Sequence, residues 1–454
     1  MSDLEQYKVT QNACKFCSPL GASLAFKGLE GAMNLIHGSQ GCSTYIRRYM
    51  ISHFREPIDI ASSNFSEDTA IFGGQNNLKT SLKNIILQYN PKIIGISSTC
   101  LSETIGDDVN RIINEFIEEN KNIKLPYIIP VSTPSYKGTH TDGYYNSIFA
   151  IIKYFSQSNN SENNKKNRIT LLLPPLSCTD IDHFKEILND YKLDSIVFPD
   201  YSDTLNGTLW ESYKKIPPGG TPIKDIKKIN ETRIVIEIGR IIEEKMSAGK
   251  YLNTEKKIPL SSCGIPIGIK ENDIFFNQLS NISGFELPDK YNKERSRLID
   301  SYFDGHKVVF GKKACIFGDE DLAVALGIFL EEIGMIPNII VTGAKTGLLT
   351  KKIKHLTKFE KNKTIVLEDS DFIDMEREIE KNKPDLLIGN SKGYKTAKKF
   401  NIPLIRAGFP IHDRFGGSRI LHIGYRGTSR LFDEIVNTLL TVKQYSNPVG
   451  YTYF

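Results

Sequence analysis

The stretch "KIIGISSTC", residues 92–100, is an apolar run that ends in a cysteine. Ile93, Ile94 and Ile96 would occupy both faces of a strand, a pattern typical of strands buried in a parallel sheet. Open parallel sheets bind their ligands beyond the carboxyl ends of the strands. The stretch therefore predicts a buried parallel strand with Cys100 at the edge where ligands bind.

Comparable apolar runs recur along the chain and alternate with amphipathic segments. The helical segments include "NLKTSLKNIILQYN" (77–90) and "LAVALGIFLEEIGM" (322–335). The other strand-like runs are "YIIPVS" (127–132), "RITLLLP" (168–174), "SIVFPD" (195–200), "RIVIEIG" (233–239), "KACIFGD" (313–319), "NIIVTG" (338–343), "TIVLED" (364–369), "DLLIGN" (385–390) and "PLIRAG" (403–408). This alternation predicts the α/β class, with doubly wound parallel sheets.

The length of the chain and its breaks predict three domains. A chain of 454 residues exceeds what one hydrophobic core usually supports. The polar tract "SQSNNSENNKKN" (156–167) is typical of a linker, and "YFDGHKVVFGKK" (302–313) precedes a new series of strands and helices. We therefore predict three Rossmann-like α/β domains at 1–157, 168–305 and 306–454, the first with the candidate ligand cysteines and the last with a C-terminal helix and tail.

Charge and hydropathy exclude several partner classes. The chain has 58 Lys and Arg against 53 Asp and Glu, and these charges are scattered, so neither nucleic acid nor a membrane surface is an expected partner. The first residues, "MSDLEQYKVTQNA", lack the features of a secretion signal, and no apolar run is long enough to span a bilayer. We expect a cytoplasmic protein. In that reducing compartment its seven cysteines are candidates for metal or redox chemistry rather than for disulfides.

Three cysteines stand in polar, glycine-rich surroundings within the first predicted domain. Cys42 ends "HGSQGC", Cys17 lies in "CKFCSPLGAS", and Cys100 follows a strand, so we expect all three on loops. Neighbouring glycines would let backbone N–H groups approach the sulfides of an iron–sulfur cluster. A buried structural cysteine is the alternative for each. Cys14 forms a C-x-x-C pair with Cys17, a weak zinc signal on its own, and the remaining cysteines are predicted core residues: Cys178, Cys263 and Cys315.

The number of candidate thiols indicates a shared site. A four-iron cluster takes about four protein ligands, and larger clusters take more. The first domain offers three candidates and one weaker one, Cys14. We therefore predict that another polypeptide completes the cluster, which makes the loops of the first domain a candidate subunit interface.

Several motifs, in order and at characteristic spacing, resemble the β-type chains of the nitrogenase component 1 superfamily. The resemblance extends from about residue 12 to residue 440. The motifs are "PLGASLAFKGLEGAMNLIHGSQGC", "SHFREP", "SEDTAIFGG", "SSTCLSETIGDD", "STPSYKGTHTDG", "IVFPDYSDTLNG", "PPGGTPI" and "GFPIHDRFGG". The resemblance implies three Rossmann-like domains, a homologous α-type partner chain and an iron–sulfur cluster held between the two chains.

Two branches of this superfamily have β-type chains, and different parts of the sequence favour each. The segment from "LLIGNSKG" through "RAGFP" and "GG" to "GYRGT" is similar to the scaffold chain NifN, which pairs with NifE in maturation of the iron–molybdenum cofactor. By contrast, cysteines matching Cys17, Cys42 and Cys100, with a serine matching Ser135, hold the eight-iron P-cluster in the catalytic β chain, NifK. Many scaffold chains keep only the cysteine matching Cys42. We predict the scaffold branch, with the catalytic β chain or a nitrogenase-like reductase subunit as the alternative.

The resemblance also implies the cofactors and partners of such a complex. The cluster would be a [4Fe–4S] centre or a P-cluster-like [8Fe–7S] centre bound by Cys42, Cys17 and Cys100, with Ser135 as a further candidate. An iron–molybdenum cofactor precursor made by NifB would lie mainly in the α-type partner. That partner would be NifE-like, or NifD-like in the catalytic alternative, in an α2β2 heterotetramer to which the iron protein NifH docks.

Other polar groups have simpler explanations. His140 and Asp142 in "GTHTDG" could form a metal or acid–base pair, but a turn rich in Gly, Thr and Asp explains them as well. His53 and Arg55 in "SHFREP" follow the Cys42 segment, where an arginine could offset the charge of a cluster or form a salt bridge. The run "TGAKTG" (342–347) lacks the spacing of a phosphate-binding loop, so no nucleotide role is predicted.

Overall fold

The computed structural model of the chain describes residues 14–157, 168–209, 211–356 and 364–449. It contains three separate parallel sheets, formed by successive parts of the chain. Helices connect the strands, because neighbouring parallel strands require a crossover. The predicted α/β class with doubly wound parallel sheets is confirmed.

The first sheet has the strand order β2-β1-β3-β4. Its strands are β1 (Ala32–His37), β2 (Ala61–Ser62), β3 (Ile93–Ser98) and β4 (Tyr127–Val131). Its helices are α1 (Ser18–Lys27), α2 (Gln40–Phe54), α3 (Glu67–Phe72), α4 (Gln75–Tyr89), α5 (Cys100–Ile105), α6 (Val109–Glu119) and α7 (His140–Ser156). Every residue of β3 is buried, as the apolar run at 92–99 predicted.

The second sheet has the order β6-β5-β7-β8. Its strands are β5 (Arg168–Leu172), β6 (Asp194–Phe198), β7 (Ile234–Ile238) and β8 (Leu260–Cys263). Its helices are α8 (Cys178–Asp190), α9 (Ile223–Ile226), α10 (Ala248–Lys256), α11 (Gly268–Ser283) and α12 (Asp289–Val309), with a 3-10 turn at Ile229–Glu231.

The third sheet has the order β11-β10-β9-β12-β13. Its strands are β9 (Lys313–Phe317), β10 (Ile336–Val341), β11 (Ile365–Leu367), β12 (Leu386–Gly389) and β13 (Leu404–Arg406). Its helices are α13 (Glu320–Glu332), α14 (Leu348–Leu356), α15 (Phe372–Lys381), α16 (Tyr394–Phe400) and α17 (Gly424–Ser446), with 3-10 turns at Ser391–Gly393 and Gly417–Arg419. The long α17 packs on α12 and α11.

The pattern of apolar runs missed three strands, β1, β2 and β8. The central strand β1 contains Asn34 and His37, both fully buried. The Asn34 side chain donates to the Ser23 carbonyl at 2.8 Å, and the ring nitrogens of His37 lie 3.1 Å from the Ser63 hydroxyl and 3.1 Å from the Asp107 carboxylate. The hydrogen-bond partners of these buried polar groups lie on other segments of the chain, so the local pattern gave no indication that the groups belong to a strand.

The predicted boundary at 305/306 falls inside α12, which runs unbroken from Asp289 to Val309. Most of the polar tract at 156–167 lies outside the described residues, although Ser156 is the last residue of α7. The division into domains at 1–157, 168–305 and 306–454 therefore stays a prediction. Among the helices of the described residues, none combines the length and the hydropathy needed to cross a membrane.

Two helices beside the first sheet, α1 and α7, pack with their backbones in contact. At Gly21 in α1, an added Cβ would lie 1.6 Å from the His140 carbonyl oxygen. At Gly143 in α7, it would lie 1.9 Å from the Ser18 carbonyl oxygen. Only glycine permits this approach. The start of α1, immediately after Cys17, is consequently fixed against α7.

An acidic side chain, Glu320, is buried in the first turn of α13. Its carboxyl accepts a hydrogen bond from the Thr346 hydroxyl at 2.8 Å. Burial raises the pKa of Glu320 from 4.5 to about 8, and the nearby Asp321 and Asp142 carboxylates add to the rise. The native state therefore holds a proton here that the unfolded chain releases above its ordinary pKa.

We expect the Glu320→Gln variant to keep more of its stability at alkaline pH than the unaltered protein does. Since the native state binds this proton more tightly, the free energy of unfolding of the unaltered protein falls as pH rises from about 4.5 to about 8. Gln mimics the protonated carboxyl and does not titrate, so the variant gains about 4 kcal/mol relative to the unaltered protein between pH 5 and pH 9. Thermal unfolding at these two pH values measures the difference. Parallel stability curves for the two proteins would contradict the assignment.

Candidate functional site

The structure brings the three candidate thiols to helix starts. Cys17 is the N-cap of α1, Cys42 lies in the first turn of α2, and Cys100 is the first residue of α5, immediately after β3. The expectation that all three lie on loops was wrong. Helix α1 begins here because Pro19, in its first turn, lacks an N–H that would be left without a helical partner.

Ser135, in the loop after β4, connects two of these segments. Its hydroxyl accepts a hydrogen bond from the Ser18 backbone N–H at 3.1 Å. Its own backbone N–H donates to the Cys100 sulfur at 3.2 Å. Ser135 therefore holds the start of α1, next to Cys17, beside the start of α5.

The Cys17 thiol lies within electrostatic range of the other two thiols. Burial raises the pKa of the Cys17 thiol, and the neighbouring Cys42 and Cys100 thiols raise it further, whereas a hydrogen bond with Ser135 lowers it. Cys42 and Cys100 are exposed and Cys17 is half-buried. The remaining thiols are all buried: Cys14, Cys178, Cys263 and Cys315. The exposed grouping thus consists of the residues predicted from sequence, and the predicted core cysteines do lie in the core.

Helix electrostatics favour negative charge at this grouping. The N-terminal ends of α1 and α2 carry partial positive charge from N–H groups that lack helical partners. Such ends stabilise thiolates, the form of cysteine that binds iron. Cys42 also receives a weak hydrogen bond from the Ser39 hydroxyl, 3.7 Å from its sulfur.

The donor set fits a polynuclear cluster rather than a single ion. Within residues 14–157, 168–209, 211–356 and 364–449, no group of three His, Cys, Asp or Glu side chains converges closely enough to hold one metal ion. An iron–sulfur cluster has a different requirement, because each thiolate binds a separate iron and the sulfides span the distance between them. Three thiols on neighbouring elements satisfy this requirement in part and leave the opposite side open.

Apolar side chains exposed to solvent lie on the segments that carry the thiols and on α3, which contacts α5. They belong to α2, α3, α5 and the Ser135 loop. Phe72 is 85% exposed, Ile71 73% and Tyr136 57%, and Tyr45 and Leu101 are also exposed. Exposed aromatic and aliphatic groups around an incomplete donor set are typical of a protein–protein interface. We call this surface, Tyr45, Ile71, Phe72, Leu101 and Tyr136 with the three thiols, the cysteine face.

The arginine considered as a neighbour of the cluster lies elsewhere. Arg55 is the C-cap of α2, thirteen residues beyond Cys42 and so about 20 Å away along the helix. Its guanidinium donates to the His412 carbonyl at 3.0 Å, and the Ile411 N–H donates to the His53 ring at 2.9 Å. These residues attach the end of α2 to the third sheet region and do not contact the thiols.

The "GTHTDG" segment forms the start of helix α7, in agreement with its interpretation as a structural turn. Thr139 and Asp142 make a reciprocal capping box at the start of α7. His140 is buried, with its Nε2 2.9 Å from an Asp319 oxygen. In the run "TGAKTG", the Thr346 hydroxyl donates the hydrogen bond to the Glu320 carboxyl that is described above. The capping box agrees with the turn interpretation of His140 and Asp142, and the absence of a nucleotide role for 342–347 stays a prediction.

Sequence reasoning missed one charged residue near the thiols. Lys392, in the 3-10 turn after β12, lies with its Nζ 4.4 Å from the centroid of the Phe16 ring. Phe16 immediately precedes Cys17. Some 375 residues separate the two in sequence, and the segment "NSKG" carries no local signal, so only the tertiary structure brings them together.

Comparisons with known proteins identify the family of the chain. The family model "Nitrogenase component 1 type Oxidoreductase" matches residues 17–440. The chain is 36% identical over 440 residues to the nitrogenase molybdenum–iron protein beta chain of Clostridium pasteurianum, covering 96% of this chain and 94% of that one. It is 31% identical over 432 residues to the nitrogenase iron–molybdenum cofactor biosynthesis protein NifN of Bradyrhizobium diazoefficiens, covering 94% and 89%.

The fold of the chain is also similar to that of a solved structure. The structure "Nitrogenase Cp1 at pH 6.5" aligns with a TM-score of 0.93 at 33% identity, over 100% of this chain and 98% of that chain. The match therefore includes all three sheets and the segments that hold the thiols. The chain belongs to the nitrogenase component 1 family of oxidoreductases and is of the β type.

Proposed function

We propose that this chain is the β-type subunit of a NifN-like scaffold complex that matures the nitrogenase iron–molybdenum cofactor. In this proposal it pairs with a NifE-like α-type chain in an α2β2 heterotetramer and holds an iron–sulfur cluster at the interface. The shared cluster rests on the cysteine face, where three thiols lie on an exposed apolar surface. The choice of the scaffold branch rests on the segment from Leu386 to Thr428, which is similar to NifN.

Each residue of the site has a distinct task in this proposal. The sulfurs of Cys17, Cys42 and Cys100 bind iron, and the partner supplies the remaining ligands. Ser135 positions the Cys17 and Cys100 segments and is itself a candidate oxygen ligand. The N-terminal ends of α1 and α2 stabilise the negative charge of the thiolates. When bound, the cluster stores and transfers electrons.

The carboxyl-terminal segment supports the scaffold branch. The motifs similar to NifN, "IGNS" and "RAGFP", form one hydrogen-bonded unit: the Ser391 N–H donates to the Pro410 carbonyl at 3.0 Å, and the Asn390 side chain donates to the Phe409 carbonyl at 3.1 Å. The next residue, Lys392, contacts the Phe16 ring. The segment that resembles the scaffold therefore borders the cysteine face.

A second candidate is the catalytic β chain of a molybdenum–iron nitrogenase. The retention of all three thiols with Ser135 favours it, because that set matches the P-cluster ligands of the catalytic branch. The 36% identity to the Clostridium pasteurianum beta chain also supports it. In that case the partner would be NifD-like and the cluster an [8Fe–7S] centre.

One pair of assays separates the two candidates. Given the iron protein NifH and ATP, the purified complex is expected to reduce substrates at negligible rates. Loaded with the NifB product, molybdate and homocitrate, it is expected to restore activity to a cofactor-deficient nitrogenase. A scaffold must release the cofactor, whereas a catalyst must retain it beside its path for electrons. Substrate reduction at nitrogenase rates without added component 1 would establish the catalytic candidate instead.

A further inference from the structure

We propose that the positive charge of Lys392 raises the reduction potential of the cluster bound at Cys17. The inference rests on the proposed cluster site and adds a residue from a different domain to it. The ammonium group would stabilise the reduced cluster, which carries one more negative charge than the oxidised cluster.

The backbone around Lys392 is fixed in place at the carboxyl end of β12. The Lys392 N–H donates to the Asn390 side-chain oxygen at 3.1 Å, and Asn390 in turn donates to the Phe409 carbonyl. Ser391 hydrogen-bonds to the Asp413 carboxylate. These contacts fix the backbone of the turn Ser391–Gly393, so the Cα atom of Lys392 has a defined position.

The side chain extends from this turn toward the segment that contains Cys17. Its Nζ lies over the Phe16 ring, at 4.4 Å from the centroid, where the ring face attracts a cation. Phe16 is itself buried, with edge contacts to Tyr49 and Phe409. A rigid ring thus keeps the ammonium group close to the backbone that presents the Cys17 thiol.

The charge acts on the thiols from a half-buried position. It lowers the pKa of Cys17 and also that of Cys14, although burial raises both overall. In return, these two thiols raise the pKa of Lys392, which burial lowers. Less water lies between charges that are partly buried, so the interaction is screened less than at the open surface.

The effect on the cluster follows from charge balance. Reduction adds one electron from an external reductant and breaks no bond, so the cluster and its thiolates become more negative by one unit. A fixed positive charge nearby stabilises the reduced state more than the oxidised one and raises the potential.

The test is a potentiometric titration of the complex of this chain with its α-type partner, monitored by electron paramagnetic resonance. In Lys392→Met we expect about a tenfold shift of the equilibrium toward the oxidised cluster, which is 59 mV for one electron. Lys392→Arg keeps the charge and is expected to restore most of the potential. The control Lys395→Met removes an exposed lysine three residues away and is expected to change nothing.

Iron analysis separates failure of this inference from failure of the proposed function. A complex without iron in the unaltered protein would contradict the cluster site itself. Full iron in Lys392→Met with an unchanged potential would overturn only the role of Lys392. If the Met variant does not retain its iron, Lys392→Gln is titrated in its place and compared with Lys392→Arg, and equal potentials in that pair would overturn the inference.

Discussion

The Cys42→Ala variant is expected to lose most of the iron from the complex while the protein itself remains folded. Cys42 is exposed in the first turn of α2, and its one described hydrogen bond is the weak one from Ser39. Truncation of an exposed side chain changes the free energy of unfolding by about 0.5 kcal/mol or less. Loss of a thiolate ligand, by contrast, leaves one iron without a protein donor. Iron per complex and the thermal unfolding midpoint together measure this difference.

The control for this variant is Cys315→Ala. Cys315 is fully buried in β9 and is not one of the three thiols of the cysteine face, and the substitution trims one small side chain from the core. We expect a cost of about 1 kcal/mol in stability and full iron content. Equal iron loss from Cys42→Ala and Cys315→Ala would mean that iron content follows general stability, and the assignment of the thiols would be wrong.

Gly143→Ala is expected to destabilise the protein by about 3 kcal/mol and to reduce its iron content without changing any ligand. The added methyl group would lie 1.9 Å from the Ser18 carbonyl oxygen and 2.7 Å from its carbonyl carbon. Both are backbone atoms, so α1 must move away from α7, and overpacking of this kind costs up to about 3 kcal/mol or more. Because Ser18 follows Cys17, the same movement displaces one thiol from the other two.

Lys153→Ala provides the control on the same helix. Lys153 is exposed on α7, and alanine preserves helix propensity there, so both stability and iron content are expected to stay within error. Chemical unfolding and iron analysis of the two variants side by side make the comparison. An unfolding midpoint for Gly143→Ala equal to that of Lys153→Ala would show that the two helices are not in backbone contact.

The sequence predicted the parts of the fold that local pattern encodes. Runs such as 92–99 and 313–319 place apolar side chains on both faces of a strand, and they form parallel strands that are buried except at Lys313. The strand β1 was missed because Asn34 and His37 break the pattern, and their partners Ser23, Ser63 and Asp107 are brought near only by folding. Buried polar groups of this kind carry no periodic signal.

The residues of the candidate site also fall into two groups, those that the local sequence predicts and those that only the fold brings together. Cys17, Cys42 and Cys100 stood out because each lies at a junction between a strand or turn and a helix, although two of them belong to the helix rather than to a loop. Arg55 is close to Cys42 in sequence, yet the length of helix α2 separates them. Lys392 was missed for the opposite reason, since nearly the whole chain lies between it and the Phe16 ring that it covers.

Iron analysis of the chain with and without its α-type partner tests whether the two subunits share the cluster. Purified alone, the chain is expected to hold little stable iron, because three thiols on an open surface leave the cluster without its remaining ligands. Co-expressed with its α-type partner, it is expected to purify as a brown complex with a stoichiometric cluster. A stoichiometric, stable cluster on the isolated chain would contradict the account.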